Sequence, residues 1–332
     1  MEAKSTKRIF ILATAVGGFV LFYILRQTFS GAWILPQSFH VGPITVHYYG
    51  ITMALAVGAG YWLAMRAAQN HGLSEKQADN LLLWLVIGGF VGARLYHVAS
   101  SYTYYVNHLA DIAKVWNGGL SIFGGLIGGF VVLLAYVIWA QRSVPAAGPI
   151  GTYGRSLRWP RKSGHAPLLR LLDWLAPSVV LGQIIGRFGN MFNYEAFGYA
   201  TNLPWKMFVP GQSRPFNSAQ FGYYHPLFLY EALGNVLILV WLLYRENQKD
   251  KSVKREEGTA RVIAPGTLFF MYLFLYNTLR FFIEFLRTDS TFIHGVRLNC
   301  ITSGLLAIVG LIGLILINHR HTDTTDNTNS VN

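Results

Sequence analysis

The stretch "GLSIFGGLIGGFVVLLAYVIWA", Gly119 to Ala140, runs on without one charged side chain. A helix needs about 20 such residues, at about 1.5 Å of rise each, to cross the hydrocarbon core of a bilayer. A helix also satisfies its backbone polar groups within itself, which lipid demands. The stretch therefore reads as a transmembrane helix. Its glycines, Gly124, Gly125, Gly128 and Gly129, offer a surface on which another helix can pack closely.

Runs of the same kind recur on both sides of it, and the eight together lie at about residues 9–25, 48–65, 80–98, 119–140, 171–190, 226–244, 264–285 and 299–317. Composition agrees: of 332 residues, 52% are hydrophobic and only 13% charged, against about a quarter charged in a soluble domain. The fold class expected is an all-α polytopic membrane protein with about eight transmembrane helices. No internal repeat of the inverted-transporter kind is present.

The net charge of +12 raises the question of nucleic acid, but its distribution answers otherwise. Two thirds of the 27 Lys and Arg fall in residues 1–8, 66–79, 141–170, 245–261 and the C-terminal tail, which are alternate connections. That is the positive-inside pattern, and it places both termini in the cytoplasm. The runs "RSLRWPRK" (155–162) and "KDKSVKR" (249–255) then read as retention loops near anionic head groups rather than nucleic-acid patches. One cysteine, Cys300, excludes an intrachain disulfide and a cysteine metal cluster, and no His, Cys and carboxylate set has ligand spacing. Neither a metal nor a cofactor is expected. Lys4, Lys7 and Arg8 ahead of Ile9–Leu25 also fit a signal-peptide start with "FSGA" (29–32) as cleavage site. The apolar run is long for that, so an uncleaved span is favoured.

Four segments depart from the span and loop pattern. Residues 1–30 form a span ahead of a membrane domain over residues 40–320. Residues 141–170, rich in Pro, Gly and Arg, read as a basic cytoplasmic insertion without catalytic content. Residues 194–225 are too long for a turn and dense in aromatics and prolines, and are expected to form a small extracytoplasmic head. Residues 321–332 read as a disordered cytoplasmic tail.

An ionised side chain within a bilayer costs at least about 2.5 kcal/mol, so each needs a partner or a task. Here they gather at the outer ends of the spans. His47, Tyr48 and Tyr49 lie at one end and Arg94 and His97 near another, with the glycine pair Gly118 and Gly119 at the mouth of a third. Arg187, Asn190, Asn193 and Glu195 follow, then His225, Tyr230 and Glu231, and finally Arg280, Glu284, Arg287 and Asp289. The i, i+4, i+7 spacing of Arg280, Glu284 and Arg287 puts them on one helical face. Mutual neutralisation is a sufficient reading for Glu284 or Asp289 alone. For the whole set, carboxylates that orient guanidinium groups while an anion completes their hydrogen bonds fit better, and the planar fork suits phosphate. Gly118 and Gly119 let backbone amides approach such an anion. The expected ligand is a phospholipid phosphate at the outer leaflet. No Gly-x-Ser-x-Gly elbow, phosphate loop or zinc helix is present.

The run "GRFGNMFNYEAFG" (186–198) resembles the signature of the prolipoprotein diacylglyceryl transferases of bacterial membranes. "GPITVHYYGI" (42–51), "GGFVGARLYHV" (88–98), "WNGGLSIFGGLIGG" (116–129), "HPLFLYEA" (225–232) and "LRFFIEFLRTD" (279–289) follow in that family's order. The resemblance implies an enzyme of the bacterial inner membrane, with its active site toward the outer leaflet and seven spans, to which residues 1–30 add one. It implies transfer of the diacylglyceryl group of phosphatidylglycerol to the lipobox cysteine of preprolipoproteins, releasing glycerol phosphate, with no nucleic-acid partner. Arg187 and Arg280 match the family's essential arginines; Tyr49, Asn190, Glu195, Gly198, Glu284 and Arg287 match motif positions as binding or orienting groups. Phe123 stands where many members have a histidine, so the thiol-proton acceptor is open, with His225 or Tyr49 as replacements. The expected lipid-binding set also takes in Arg94, Gly118, Gly119, Asn193, Tyr230 and Glu231. Arg297 lies outside the motifs and is expected to tolerate alanine. A transporter or flippase of an anionic lipid is the rival, but it calls for polar groups along a full path across the bilayer.

Overall fold

The structure, a computed structural model, describes residues 2–142, 166–253, 264–293 and 295–329. Its helices are α1 (Glu2–Phe29), α2 (Tyr48–Ala67), α3 (Glu75–Ser100), the single turn α4 (Tyr102–Tyr105), α5 (Ile122–Arg142), α6 (Ala166–Asn193), α7 (Leu227–Val253), α8 (Thr267–Glu284) and α9 (Leu298–Asn329). Each apolar run read from the sequence falls largely within one of the long helices. Among the described residues five helices are long and apolar enough to cross a membrane: Glu75–Ser100, Ile122–Ala140, Pro167–Asn193, Leu227–Asn247 and Leu298–His319. The protein is a mostly helical, multi-pass membrane protein. Helix α8 is not among the five; it carries Arg280 and Glu284 near its end. Most of the 141–170 insertion lies outside the described residues, and α9 runs on to Asn329, into the segment read as a tail.

Among the described residues, strand is confined to three antiparallel pairs of two to four residues per strand: β1 (Ser38–Val41) with β2 (Ile44–His47), β3 (Met207–Phe208) with β4 (Tyr223–Tyr224), and β5 (Phe292–Ile293) with β6 (Val296–Arg297).

The chain divides into two compact units. The second takes Gly60–Ser178, Leu243–Phe270 and Gly313–Asn332. Its α3 starts on a capping box, with the Ser74 hydroxyl accepting from the Gln77 N–H and the Gln77 side chain accepting from the Ser74 N–H. Helices α3 and α5 pack through glycine. A Cβ on Gly92 would stand 2.4 Å from the Gly124 carbonyl oxygen, and one on Gly128 would stand 2.2 Å from that of Gly88. Backbone approach of this kind drives helix association in lipid, where there is no hydrophobic gain to share. Gly129, by contrast, faces open space. Asp173 on α6 caps the start of α8, accepting from the N–H groups of Gly266 at 2.7 Å and Phe269 at 2.8 Å. The core of this unit gathers Leu73, Leu81, Leu133, Leu171 and Trp174.

The first unit takes Met1–Ala59, Val179–Leu242 and Met271–Ile312. Its core is aromatic: Tyr194, Phe197, Met207, Tyr224 and Phe228 are buried together, with Phe29 of α1 edge-on to Phe228. Each fully buried side chain of this size contributes about 1.5–3 kcal/mol. The 194–225 segment is thus a folded body rather than a loop. Its backbone forms a ladder in which β3 pairs β4, Ala200 bridges Tyr224, and Gly198 bridges Arg287. That last bridge ties the segment to the chain just past α8, with the Tyr199 N–H on the Leu286 carbonyl at 3.0 Å.

Candidate active site

Three helices of the first unit bring charge to one place. Glu231 of α7 is fully buried, and both its oxygens face arginines: Oε1 accepts from Arg280 of α8, and Oε2 is ion-paired to Arg187 of α6. The Arg187 pair is close but is not aligned as a hydrogen bond, and the same nitrogen donates at 3.5 Å to the Tyr276 hydroxyl. Arg280 also reaches one turn forward along α8 to Glu284 at 3.3 Å. Glu284 is also fully buried, and its other oxygen accepts from Ser290 at 2.8 Å and Asn299 at 3.0 Å. Two carboxylates at zero exposure are retained only because cations and donors surround them; removing one partner of such a pair typically costs about 3–5 kcal/mol.

Helix α8 ends at Glu284, so Arg287 does not continue its face as the i, i+7 spacing implied. It follows a turn, still lies 3.8 Å from Glu284, and is held by Asp289 through two bonds of 2.9 and 2.7 Å. Arg297, on β6, donates to the backbone carbonyls of Glu284 and Arg287 and to the Tyr199 hydroxyl. The expectation that Arg297 is a bystander is therefore corrected: it ties the end of α8 to the 194–225 segment. The cluster sets four cations (Arg187, Arg280, Arg287, Arg297) against three carboxylates (Glu231, Glu284, Asp289). Glu195 at the edge brings the acids to four, so the charges balance, and what favours an anion is the unused hydrogen-bonding capacity of guanidinium groups already oriented by buried acids.

Around this cluster sit Glu195, two asparagines and a tyrosine. Glu195 is exposed and accepts from the amides of Asn190 at 3.4 Å and Asn193 at 3.3 Å rather than from an arginine. Tyr49 opens α2 and is 37% exposed; a Cβ on Gly189 would stand 2.9 Å from its ring, so that glycine lets the tyrosine lie against α6 beside Asn190. Gly198 is needed where it stands: a Cβ there would come within 2.6 Å of the Leu286 carbonyl oxygen.

His225 belongs to a short relay. The Trp205 indole donates to the Tyr230 hydroxyl at 2.7 Å, and that hydroxyl lies 3.1 Å from His225 Nδ1. An indole N–H only donates, so Tyr230 is free to pass its own hydrogen to Nδ1, which leaves the neutral imidazole with its proton on Nε2. Burial pushes the His225 pKa below the ordinary histidine value, in favour of that neutral form.

The family profile described as prolipoprotein diacylglyceryl transferase matches residues 36–154 and 148–316 of this chain. The chain belongs to the prolipoprotein diacylglyceryl transferase family. It is 35% identical over 283 residues to the phosphatidylglycerol–prolipoprotein diacylglyceryl transferase of Thermosynechococcus vestitus, covering 84% of this chain and 91% of that protein. The proteins of the same name from Trichormus variabilis and Synechocystis sp. are 36% and 34% identical over 282 and 297 residues. Those matches cover 84% and 88% of this chain, and 88% and 93% of the relatives.

Of the site residues expected from the sequence, Tyr49, Arg187, Asn190, Asn193, Glu195, Gly198, His225, Tyr230, Glu231, Arg280, Glu284 and Arg287 all lie in the first unit. Arg94, Gly118 and Gly119 lie in the second. There the Arg94 guanidinium donates from Nε to Ile112, from one terminal nitrogen to Gly118 and Gly119, and from the other to Asp111 and Lys114, all backbone carbonyls. The two glycines adopt φ of 87° and 77°; their carbonyls accept from Arg94, and the Gly118 amide is spent on the Val115 carbonyl at 3.1 Å rather than offered to an anion. Phe123, at the family's histidine position, is 61% exposed with its ring 6.2 Å from that of Tyr96. Tyr276, Ser290 and Asn299 are not among the residues expected from the sequence, and Arg297 was placed outside the site; the local cue was their closeness in sequence to the last motif.

Proposed function

We propose that this chain transfers the diacylglyceryl group of phosphatidylglycerol to the lipobox cysteine thiol of preprolipoproteins. The observation that carries the reading is Glu231, one buried carboxylate that holds Arg187 and Arg280 from two different helices. In the reaction a sulfur–carbon bond forms on the glycerol carbon as its bond to the phosphate oxygen breaks. The electron pair leaves with glycerol phosphate, whose charge grows from that of a diester toward a dianion. Guanidinium groups fixed in advance stabilise that growth without reorganising. Arg187 and Arg280 take the catalytic part; Asn190, Asn193, Glu195, Gly198, Glu284 and Arg287 bind and orient the lipid. Glu231 acts as the anchor of both catalytic arginines. Arg94 clamps the loop that carries Gly118 and Gly119.

The thiol proton has two candidate acceptors, His225 and Tyr49. His225 with its proton on Nε2 offers a donor to the departing phosphate, and accepts the thiol proton only at Nδ1, once the Tyr230 hydrogen bond to that atom gives way. The working arrangement is a bacterial inner-membrane enzyme with eight spans, of which residues 1–30 form the first. Both termini are cytoplasmic, as are the 141–170 insertion and the tail, and the 194–225 head is extracytoplasmic with the active site at the outer leaflet. The deciding experiment combines the purified chain, phosphatidylglycerol and a lipobox peptide. A peptide heavier by one diacylglyceryl group, with glycerol phosphate in equal amount, is the expected result; an unmodified peptide beside a correctly folded protein sinks the reading.

A further inference from the structure

A diacylglyceryl transferase has two substrates, and the charged cluster suits only one of them. A second cleft lies within the 194–225 segment, about 560 Å³ in volume, lined by Tyr199, Thr201, Asn202, Ser218, Phe221 and Tyr223 among others, with no charged side chain in its wall. A wall without charged side chains offers no ion-pair partner to a lipid phosphate, unlike the arginine cluster. What it offers instead is hydroxyl and amide groups, able both to donate and to accept, between half-exposed aromatic faces (Tyr199 48%, Phe221 49%). That is the chemistry of a polypeptide backbone with small neutral side chains.

The wall of the cleft is also tied to the charged cluster. Tyr199 follows Gly198, which bridges Arg287, and the Tyr199 hydroxyl accepts from Arg297 at 2.8 Å, the residue that also grips the Glu284 carbonyl. The cations that border the cleft are engaged: Arg297 with the Glu284 and Arg287 carbonyls and the Tyr199 hydroxyl, Lys206 over the Tyr223 ring at 4.5 Å, and Arg214 with the Val209 and Ala219 carbonyls. We infer that this cleft receives the extended, uncharged segment of the protein substrate beside its acceptor cysteine, so that the thiol is presented to a lipid held by the arginines. The inference rests on the transferase reading for the identity of the peptide. Binding in the cleft is a separate matter of fact.

The test uses the full-length purified chain with p-benzoylphenylalanine in place of Asn202, an exposed residue of the cleft. The probe is a synthetic lipobox peptide with serine replacing the acceptor cysteine, so that no transfer occurs. Illumination is expected to link the peptide at position 202 about tenfold more than from position 216, where Phe216 is 96% exposed and outside the cleft. Excess cysteine peptide is expected to suppress the adduct. In parallel, Asn202→Trp and Thr201→Arg are expected to raise the KM for peptide by about tenfold or more while the KM for phosphatidylglycerol stays within about twofold. Equal adducts at 202 and 216, adducts with lipid alone, or an unchanged peptide KM in both variants overturns the inference. A wild-type chain that transfers nothing refutes the transferase reading, and the adduct ratio still decides the cleft.

Discussion

Arg94 and Arg187 drew attention by the same argument, a guanidinium kept within an apolar helix, and the structure puts them to opposite uses. Arg94 directs all of its N–H groups at backbone carbonyls of residues 111–119, and it is 7% exposed. A guanidinium has five donors, and five carbonyls exhaust them. Arg187 is held by the edge of one buried carboxylate and one tyrosine hydroxyl, and its side chain is 20% exposed. Backbone carbonyls fix a loop and leave nothing for a ligand; a carboxylate at zero exposure fixes the orientation of a cation whose other donors are still to be used. The difference lies in what the partner leaves unfilled.

If that contrast is right, the two arginines fail in different ways when replaced. The largest effect is expected at Arg187→Ala and Arg280→Ala, each losing about a hundredfold to a thousandfold in transfer rate in protein that remains folded, as for removal of one transition-state donor. Their lysine variants keep the charge but lose the fork, and are not expected to recover the wild-type rate. Next comes Glu231→Gln, which leaves two guanidiniums without their shared anchor. A loss of about tenfold to a hundredfold in kcat/KM for phosphatidylglycerol is expected, with lowered thermal stability in detergent. Arg94→Gln is the converse case: it is expected to cost about 2–4 kcal/mol in unfolding stability through the stranded carbonyls, while the folded fraction keeps its KM for the lipid. A large lipid-specific KM change there would erase the contrast.

Smaller effects probe the proton. Because burial lowers the His225 pKa, the imidazole is neutral at pH 7, and any acid limb of kcat/KM that depends on neutral His225 is expected below the ordinary value of 6.5. Tyr230→Phe removes the bond to Nδ1 and is expected to move that limb, whereas Phe123→Ala, at an exposed ring of the second unit, is expected to leave the rate within about twofold. A limb that persists unchanged in His225→Ala belongs to another group.

The helices were legible because hydrophobic runs of bilayer length leave few other options, as in Leu227–Asn247 or Leu298–His319. The charged residues of the site were legible for a related reason: lipid makes each one conspicuous. Their partners were not. That Glu231 serves both Arg187 and Arg280 depends on how three helices pack, which spacing along one helix does not encode. Arg287 was aligned with Arg280 by period, yet α8 stops at Glu284 and a turn places it instead. Arg297 was overlooked because its contacts are largely to backbone carbonyls, which carry no residue-type signal. The same blindness grouped Arg94 with the lipid ligands, since a sequence does not reveal whether donors meet carbonyls or a phosphate.

The central claim is that Arg187 and Arg280 act as one clamp, set by one carboxylate, on one phosphate. Its most direct test is the transfer rate of Arg187→Ala/Arg280→Ala against the two single variants, all checked for folding and membrane insertion. Groups that act as a unit lose their effect together, so the double variant is expected to fall little below the slower single variant. Losses that multiply, or single variants that keep near-normal rates, would contradict the clamp.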